Sequence, residues 1–434
     1  MCCNIPDKMG DKKESALPER ENPPTPNKLI EPVKIYLSQK PVVDSLCCPY
    51  CQSKKFVKRG VRKNKLEEVQ LYLCSVCAKT FTPRAVKGRH YPLETIFEAI
   101  SIYNMGYSFE DVAKIINAKK LGDISLSPST ISDWVEEFKE NIPYLKMRPY
   151  AVQLAKPKDV VQTATLAHQQ LYRYRFHWAK CKLIIKSDYS NRNFIPLMEY
   201  LQMVPAECPH QFFQEGERAS ESSLTFSKTN MIVRSKQNYA TRLTSFFLQG
   251  AKQRKDRHDL LEKFFLYNDS VTVATEVPVY ITKEDLEHFR VKLGFEYSRP
   301  DADLVATSNQ LSPEPLPKII TGHIDLVQIR NGQVHIMDYK PNAQKEQPID
   351  QLTLYAMALS RLTGLRLFEF KCAWFDENNY FEFFPLHVLY KPKKVKRRKQ
   401  VETKEGMYKI NSRVDKIDSF APAKAKNVGN EVKL

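Results

Sequence analysis

Hydrophobic and polar positions follow two different periods along the chain. Apolar residues recur at helical spacing in three short stripes within 92–142, which predicts three short helices. Ser108, and the pair Ser127-Pro128, are typical caps for the second and third of them. Around 322–340 the apolar residues alternate with a strand period instead. The chain therefore combines a helical segment with a later segment that contains strands.

The later segment predicts a mixed α/β core. Asn331-Gly332 separates two alternating stretches, which is a strong signal for a two-residue hairpin turn. The elements expected around that hairpin follow the order helix, strand, hairpin, helix and strands, over 257–265, 273–280, 322–340, 348–355, 367–375 and 380–384.

The same patterns divide the chain into six parts. They are a disordered lead (1–44), a cysteine-containing β segment (45–90), the helical segment (91–142), a helical linker of unknown role (143–238), the α/β segment (239–390) and a basic disordered tail (391–434). Within the linker, residues 161–185 are predicted to form one long helix that packs by its aromatic face. The alternative is that its interleaved Tyr and Arg side chains stack on single-stranded nucleic acid. His177, Cys181, Cys208 and His210 are spaced too irregularly to predict a metal site.

The net charge of the chain indicates the class of partner that it binds. The 434 residues include 67 Lys and Arg against 50 Asp and Glu, a formal net charge of +17. This excess favours a polyanionic partner, with DNA first, RNA as an alternative, and a membrane surface last. No stretch is apolar enough to span a bilayer, and the N-terminus has no secretory signal, so we expect a cytoplasmic location.

Four cysteines predict a zinc site. Cys48 and Cys51 form one CxxC pair, and Cys74 and Cys77 form another 22 residues later. A hairpin between the pairs would bring together four thiolates, the ligand set of tetrahedral structural zinc. Cys47 is a spare cysteine, because only Cys48 gives the two-residue gap. Zinc binding should release protons and help this segment to fold.

The stretch CPYCQSKKFVKRGVRKNKLEEVQLYLCSVCAKTFTPR resembles the zinc ribbon of prokaryotic insertion-sequence transposases and their archaeal relatives. This resemblance implies nucleic-acid contact by basic residues of the hairpin, among them Lys58, Arg59 and Arg62.

The stripes at 92–142 resemble the helix-turn-helix that follows the ribbon in those proteins. Such a unit would direct Ser129 and Thr130 of its third helix towards DNA. The alternative is a plain three-helix bundle that docks on a partner protein. A transposase proper would need a further acidic set that the sequence does not provide.

The hairpin carries the candidate chemistry. Asp338 and Lys340 are two residues apart on one strand and therefore share a face. If the register brings Asp325 beside them, two carboxylates and one ammonium converge at a strand end. Two carboxylates suit Mg²⁺ or Mn²⁺, and a lysine can offset charge that develops on a phosphoryl group.

This segment contains the stretches HDLLEKFF, TEVPVY, GHIDLVQ, DYK and QLTLY, in this order. Together they resemble the RecB-like branch of the PD-(D/E)xK nucleases, which have a restriction-endonuclease-like αβββαβ core. The resemblance implies that the catalytic metal is held by His258, Asp325, Asp338 and the Tyr339 carbonyl. It implies that Lys340 is the catalytic lysine, that Gln351 and Tyr355 shape the site, and that Glu276 supports it. Ile324 replaces the proline of the family name. No iron–sulfur cluster is expected, because only Cys208 and Cys372 lie near this segment.

Together these patterns predict a multidomain, Mg²⁺- or Mn²⁺-dependent DNA nuclease that a zinc ribbon and a helix-turn-helix deliver to DNA. The alternative is a sequence-specific DNA-binding regulator or mobile-element protein with a non-catalytic nuclease-like domain. The sequence leaves open the strandedness of the substrate, endo- or exonucleolytic attack, and the oligomeric state.

Overall fold

The structure is a computed structural model that describes residues 48–51, 53, 55–63, 68–82, 91–119, 125–226, 228, 233–236, 238–248, 257–298, 316–390, 401–403 and 406–408. The expected disordered lead lies outside these residues, as does most of the expected tail. Within the tail, strands β15 (Val401–Thr403) and β16 (Gly406–Tyr408) pair as a short antiparallel ladder, which differs from the disorder expected there. No helix among the described residues is long and apolar enough to cross a membrane.

The cysteine segment is a small three-stranded antiparallel sheet. Its strands, in the order β1-β2-β3, are β1 (Phe56–Lys63), β2 (Glu68–Cys74) and β3 (Thr80–Phe81). The rings of Phe56, Tyr72 and Phe81 lie 5.2–5.7 Å apart and pack beside Cys48 and Cys74. This core is too small to fold a segment of this size unaided, which favours a metal cross-link.

Three helices follow, as the stripes predict: α1 (Leu93–Asn104), α2 (Phe109–Ala118) and α3 (Pro128–Phe138). The Ser108 side chain accepts a hydrogen bond from the Asp111 N–H, and the Ser127 side chain accepts one from the Thr130 N–H, so both predicted caps are confirmed. The bundle is not isolated, because the Phe97 ring lies against rings of the neighbouring α/β unit.

The α/β unit is built on one nine-stranded mixed sheet. Its strands run in the order β4-β5-β9-β11-β12-β13-β14-β8, with β6 paired to β11. They are β4 (Gln162–His168), β5 (Gln170–Phe176), β6 (Glu217–Arg218), β8 (Arg234–Ser235), β9 (Thr272–Thr282), β11 (Ile319–Arg330), β12 (Gln333–Tyr339), β13 (Phe370–Phe375) and β14 (Tyr380–Phe383). Strands β7 (Thr225–Phe226) and β10 (Tyr297–Ser298) form a separate pair.

Helices cover both faces of this sheet. They are α4 (Arg148–Leu154), α5 (Trp178–Ser187), α6 (Ile195–Glu207), α7 (His210–Glu215), α8 (Tyr239–Leu248), α9 (Arg257–Asn268), α10 (Lys283–Leu293), α11 (Ile349–Thr363) and α12 (Pro385–Leu389). Short 3₁₀ turns lie at Pro143–Lys146, Pro157–Asp159, Tyr189–Phe194 and Leu367–Glu369. One core packs α6 and α11 on the sheet, and a second core packs α8, α9 and the α1–α3 bundle on it. The elements α9, β9, β11, β12, α11 and β13 give the predicted αβββαβ order.

The prediction of one long helix over 161–185 is wrong. Residues 162–176 form the hairpin β4–β5, and only Trp178–Ser187 is helical. Tyr172, Tyr174 and Phe176 alternate with arginines, which is a strand period, and Gln169 makes the turn with a positive φ of 59°. The expected helical linker thus contributes four strands, β4, β5, β6 and β8, to the nine-stranded sheet.

A buried lysine fixes α5 to the connection between α9 and β9. The Lys180 ammonium donates to the carbonyl oxygens of Leu266, Asp269 and Thr272 at 2.5, 2.6 and 2.9 Å. Burial lowers the pKa of Lys180 to about 7, while Asp269 opposes the shift. These bonds tie the C-terminal end of α9 to the start of β9, and the opposite end of that helix carries His258.

Candidate active site

The hairpin places two carboxylates opposite each other at its open end. Asn331 and Gly332 have φ values of 52° and 67°, as a type I′ turn requires. The antiparallel register then runs back to Leu326 opposite Met337, so Asp325 and Asp338 come next. The Tyr339 N–H donates to Asp325 Oδ2 at 3.0 Å, which fixes the orientation of that carboxylate.

Helix α9 adds an imidazole and a third carboxylate. His258 Nε2 lies 3.0 Å from Asp325 Oδ2, and His258 Nδ1 lies 2.7 Å from Glu262 Oε1. Burial opposes the charged imidazole, but Asp325 and Glu262 raise the pKa of His258 to about 12. Sequence reasoning overlooked Glu262, although its position four residues after His258 places it on the same helix face.

Lys340 completes the group from the other side. Its ammonium lies 3.0 Å from Asp338 Oδ2. Burial would lower the pKa of Lys340, but Asp338 and Asp325 raise it above its usual value, so this side chain stays protonated. The structure therefore brings together His258, Asp325, Asp338 and Lys340, which the sequence predicted as one set.

Four carboxyl groups, those of Glu262, Glu276, Asp325 and Asp338, belong to this site. Burial raises the pKa of Glu262 to about 7, and burial followed by neighbouring carboxylates raises the pKa values of Glu276 and Asp338 well above their usual range. Only for Asp325 do His258, Lys340 and the Tyr339 N–H outweigh burial and lower the pKa. A cluster of buried carboxylates with one imidazole is a donor set that fits Mg²⁺ or Mn²⁺. Among them, His258, Glu262 and Asp325 have ligand atoms within 4.8 Å of one another.

A cavity of about 280 Å³ opens in front of these groups. Gln351 and Tyr355, one turn apart on α11, line it and are joined by a 2.8 Å hydrogen bond from Gln351 Nε2 to the Tyr355 hydroxyl. The opposite wall comes from the segment expected to be a linker. Its lining residues are His168, Gln169, Gln170, Tyr172, Phe213, Arg218 and Ser220. Sequence reasoning did not find this wall, because it depends on long-range pairing of β5 with β9.

On β9, Glu276 also lines the cavity and has a positive φ of 50°. This conformation is strained for a residue other than glycine, and such strain is common at functional sites. The strain supports the expected supporting role of Glu276.

A second group lies in the ribbon. Cys48 Sγ is 3.5 Å from Cys77 Sγ, and Cys51 Sγ is 3.5 Å from Cys74 Sγ. Thiolates around tetrahedral zinc are separated by about 3.8 Å, so the four sulfurs need to move little to bind it. Hydrogen bonds from the backbone of Cys77 and Val76 outweigh burial and lower the pKa of Cys74 to about 6. At Cys51, a backbone hydrogen bond from Ser53 lowers the pKa, but burial and the neighbouring thiols outweigh it and raise the pKa to about 12, so zinc binding would have to displace that proton.

The residues expected to contact DNA lie on the surface. Lys58, Arg59 and Arg62 are exposed on β1. Ser129 is exposed and Thr130 half-buried in the first turn of α3. Both hydroxyls also contact the Ser127 hydroxyl, at 2.9 and 2.8 Å, so they share the helix cap.

Residues 207–425 match the family model of the PD-(D/E)XK nuclease superfamily. The match spans half of the chain, and the chain belongs to this superfamily. It therefore has a nuclease-type domain, and nucleic acid is the substrate class of that domain. Comparisons with curated proteins and with solved structures gave no match.

Proposed function

We propose that this protein is a metal-dependent DNA nuclease of the RecB-like branch, and that Asp325, Asp338 and Lys340 carry out phosphodiester hydrolysis. The observation that carries the proposal is the convergence of these three side chains with His258 on one polar cavity. A structural ion pair would not need a cavity, a second buried carboxylate opposite the first, or an imidazole held between two acids.

Mg²⁺ or Mn²⁺ would be held by Asp325, Asp338, the Tyr339 carbonyl and His258, whose imidazole would give up a proton on binding. Glu262 lies behind that imidazole. When bound, such a cation supplies Lewis-acid activation of the scissile phosphate and of the attacking water. Burial, followed by Asp325, raises the pKa of Asp338, so a cation bound there would stabilise the ionised form of this carboxyl group.

Lys340 would act on the substrate directly. It is protonated, half-buried and held by Asp338, so its ammonium can donate to a phosphoryl oxygen as negative charge develops there. Gln351 and Tyr355 form the adjoining wall and would orient the DNA backbone against Lys340. The Arg218 guanidinium, which donates to the Tyr172 hydroxyl at 2.9 Å, adds a second cation to the cavity for phosphate binding.

The ribbon and the helical bundle would deliver the nuclease to DNA. The ribbon would bind zinc through its four cysteines and present Lys58, Arg59 and Arg62 to phosphates. The bundle would act as a helix-turn-helix, with the exposed first turn of α3 directed at the DNA. The net charge of +17 supports a polyanionic partner for these surfaces.

The test of catalysis is digestion of circular and linear labelled DNA by the full chain with Mg²⁺ or Mn²⁺. We expect cleavage by wild type and loss of at least about 1,000-fold in Asp338→Asn and Lys340→Ala, since each removes a group that acts on the reacting phosphate. Lys345→Ala, which removes an exposed lysine nearby, is the matched control and should cleave like wild type. Equal cleavage by all variants would place the chemistry elsewhere. DNA binding without cleavage by wild type would favour a regulator with a nuclease-like scaffold.

The test of targeting is the salt dependence of DNA binding, measured in the Asp338→Asn background, which should not cleave DNA and in which the cysteine segment keeps its zinc. Replacing Lys58, Arg59 and Arg62 together by alanine should lower the slope of log affinity against log salt by about 2 to 3, because each phosphate contact contributes about 0.9. Lys292→Ala on α10 is the control. An unchanged slope in the triple variant would show that β1 does not contact DNA.

A further inference from the structure

Beside the cavity, two histidines and a cysteine come together from separate parts of the chain. His168 ends β4, and Cys208 and His210 flank the connection between α6 and α7. Their ligand atoms, one from each residue, all lie within 4.8 Å of one another. This group is distinct from the nuclease carboxylates and from the ribbon cysteines.

We propose that His168, Cys208 and His210 form a further metal centre, which binds one divalent transition-metal cation of the zinc type. Two imidazoles and one thiolate are ligands that Zn²⁺ accepts and that Mg²⁺ does not favour. The centre would therefore differ in metal preference from the oxygen-rich nuclease site.

The distances fit a tetrahedral ion after a small adjustment. Cys208 Sγ lies 3.8 Å from His168 Nε2, and His168 Nε2 lies 2.8 Å from His210 Nδ1. Around tetrahedral zinc, sulfur and nitrogen are separated by about 3.6 Å and two nitrogens by about 3.4 Å. The imidazole pair has to open by about half an ångström, and His210, which is exposed, is the member of the pair that can move towards solvent.

The ligand-bearing segments are fixed in place. The His210 N–H donates to the Cys208 carbonyl at 2.9 Å, which closes the Cys208-Pro209-His210 turn. On α7, Gln214 Nε2 donates to the Ala167 carbonyl at 2.6 Å and so holds this helix against the end of β4. Little backbone ordering therefore remains to oppose metal binding.

Outer contacts orient the buried ligand. His168 Nδ1 lies 2.9 Å from His323 Nε2, so a hydrogen bond there leaves His168 Nε2 for the metal. The Phe213 ring stacks on His168 at 4.0 Å, and the Tyr172 ring stacks on His323 at 3.5 Å. Metal-bound histidines are commonly held in this way through their second nitrogen.

The centre would stabilise one wall of the nuclease cavity. His168, Tyr172 and His323 all line that cavity, and the metal would join the β4–β5 hairpin to α7. With three protein ligands, a fourth position stays open on the side of exposed His210. The role assigned to the ion is structural, and it does not depend on the proposed hydrolysis.

The first test measures zinc per chain in the purified full-length protein after desalting. The Cys208→Ser and His210→Ala variants should each contain about one equivalent of zinc less than wild type. This difference does not depend on how much zinc the ribbon retains. Their affinity for added Zn²⁺ at this centre should fall at least about 100-fold, beyond the 10–100-fold typical of an outer-shell change. His288→Ala, which removes an exposed histidine on α10, is the matched control and should keep the wild-type content. Wild-type zinc content in both cluster variants would overturn the proposal.

The second test uses wild-type protein only, so it does not depend on the folding of a variant. Alkylation of Cys208, read by peptide mass spectrometry, should be slow with Zn²⁺ and at least about tenfold faster after chelation, because a coordinated thiolate is shielded. Buried Cys181 and Cys372 serve as internal controls and should stay unlabelled in both samples. Equal labelling of Cys208 with and without zinc would show that the cluster is only a hydrogen-bonded histidine chain.

Discussion

Gly322 is the position where one added carbon should disturb the candidate site most directly. It lies on β11, three residues before Asp325, and a Cβ there would come within 2.2 Å of Tyr355 Cε1 and 2.8 Å of its hydroxyl. Real carbon atoms do not approach so closely, so Tyr355, which is buried, has to leave its position. Overpacking of this kind costs about 1–3 kcal/mol in the free energy of unfolding. The displaced Tyr355 also releases Gln351, so we expect Gly322→Ala to lose most nuclease activity.

A double-mutant cycle tests whether the Tyr355 ring is the cause. In a Tyr355→Ser background the obstruction is gone, and alanine in a strand is favoured over glycine by about 0.5–1 kcal/mol. The coupling energy between the two substitutions should therefore reach about 1.5–4 kcal/mol, measured by urea unfolding of all four proteins. Gly364→Ala, at a helix end with φ 73° and no neighbour within 4 Å of the added carbon, is a control for backbone strain alone. An equal cost of Gly322→Ala in both backgrounds would refute the reasoning.

Three further predictions concern metals and protons. Cys48→Ser or Cys74→Ser should release about one equivalent of zinc and unfold the ribbon, because its core is too small to persist alone. Measurement of bound zinc and limited proteolysis of residues 45–86 test this prediction. Full zinc retention in either variant would contradict it. Asp325→Ala and Asp338→Ala should weaken the affinity for Mn²⁺ in calorimetric titration. Lys340→Ala should keep or slightly raise the affinity for Mn²⁺ while it abolishes cleavage. If Lys340→Ala loses as much Mn²⁺ affinity as the aspartate variants, the assigned roles are wrong. His335 is buried, and burial followed by Arg330 and Lys371 lowers its pKa well below 6.5, so the unfolded chain binds a proton below pH 6.5 that the folded chain excludes. Stability should therefore fall as the pH drops below 6.5, and urea unfolding of His335→Leu should show a shallower fall; an identical pH dependence would exclude this histidine as a cause.

The α/β core was predictable from the sequence because its signals are local. The turn at Asn331-Gly332 fixes the register of the hairpin, and the register alone decides that Asp325 faces Asp338. The helix with His258 and the strand with Glu276 follow from short periodic stretches. Every part of the site that depends on neighbours in sequence was therefore available before the structure.

The other wall of the cavity was not predictable in this way. The stretch around Tyr172 fits both a helical stripe and a strand alternation of apolar residues. The strand forms because β5 pairs with β9. The paired residues Phe176 and Ala274 are 98 positions apart in the sequence. Nothing in the local sequence shows that partner. The same holds for His168, whose contacts with His210 and His323 span 42 and 155 residues. Glu262 differs, because its helical spacing from His258 was a usable signal.

The way in which the helical bundle joins the nuclease core limits how the two can work together. Helix α1 packs on α9, the helix that carries His258, and the buried amide of Asn268 joins Asn104 and Ser101 at 2.9 Å each. These amides are buried, so separating the helices would expose an apolar interface and break paired polar groups together, at a cost of several kcal/mol. The bundle therefore cannot swing on a flexible tether relative to the carboxylates of the candidate site. If α3 contacts DNA as proposed, the bound duplex is held at one orientation to Lys340, and the distance from recognition to cleavage is set by a shared core rather than by the length of a linker.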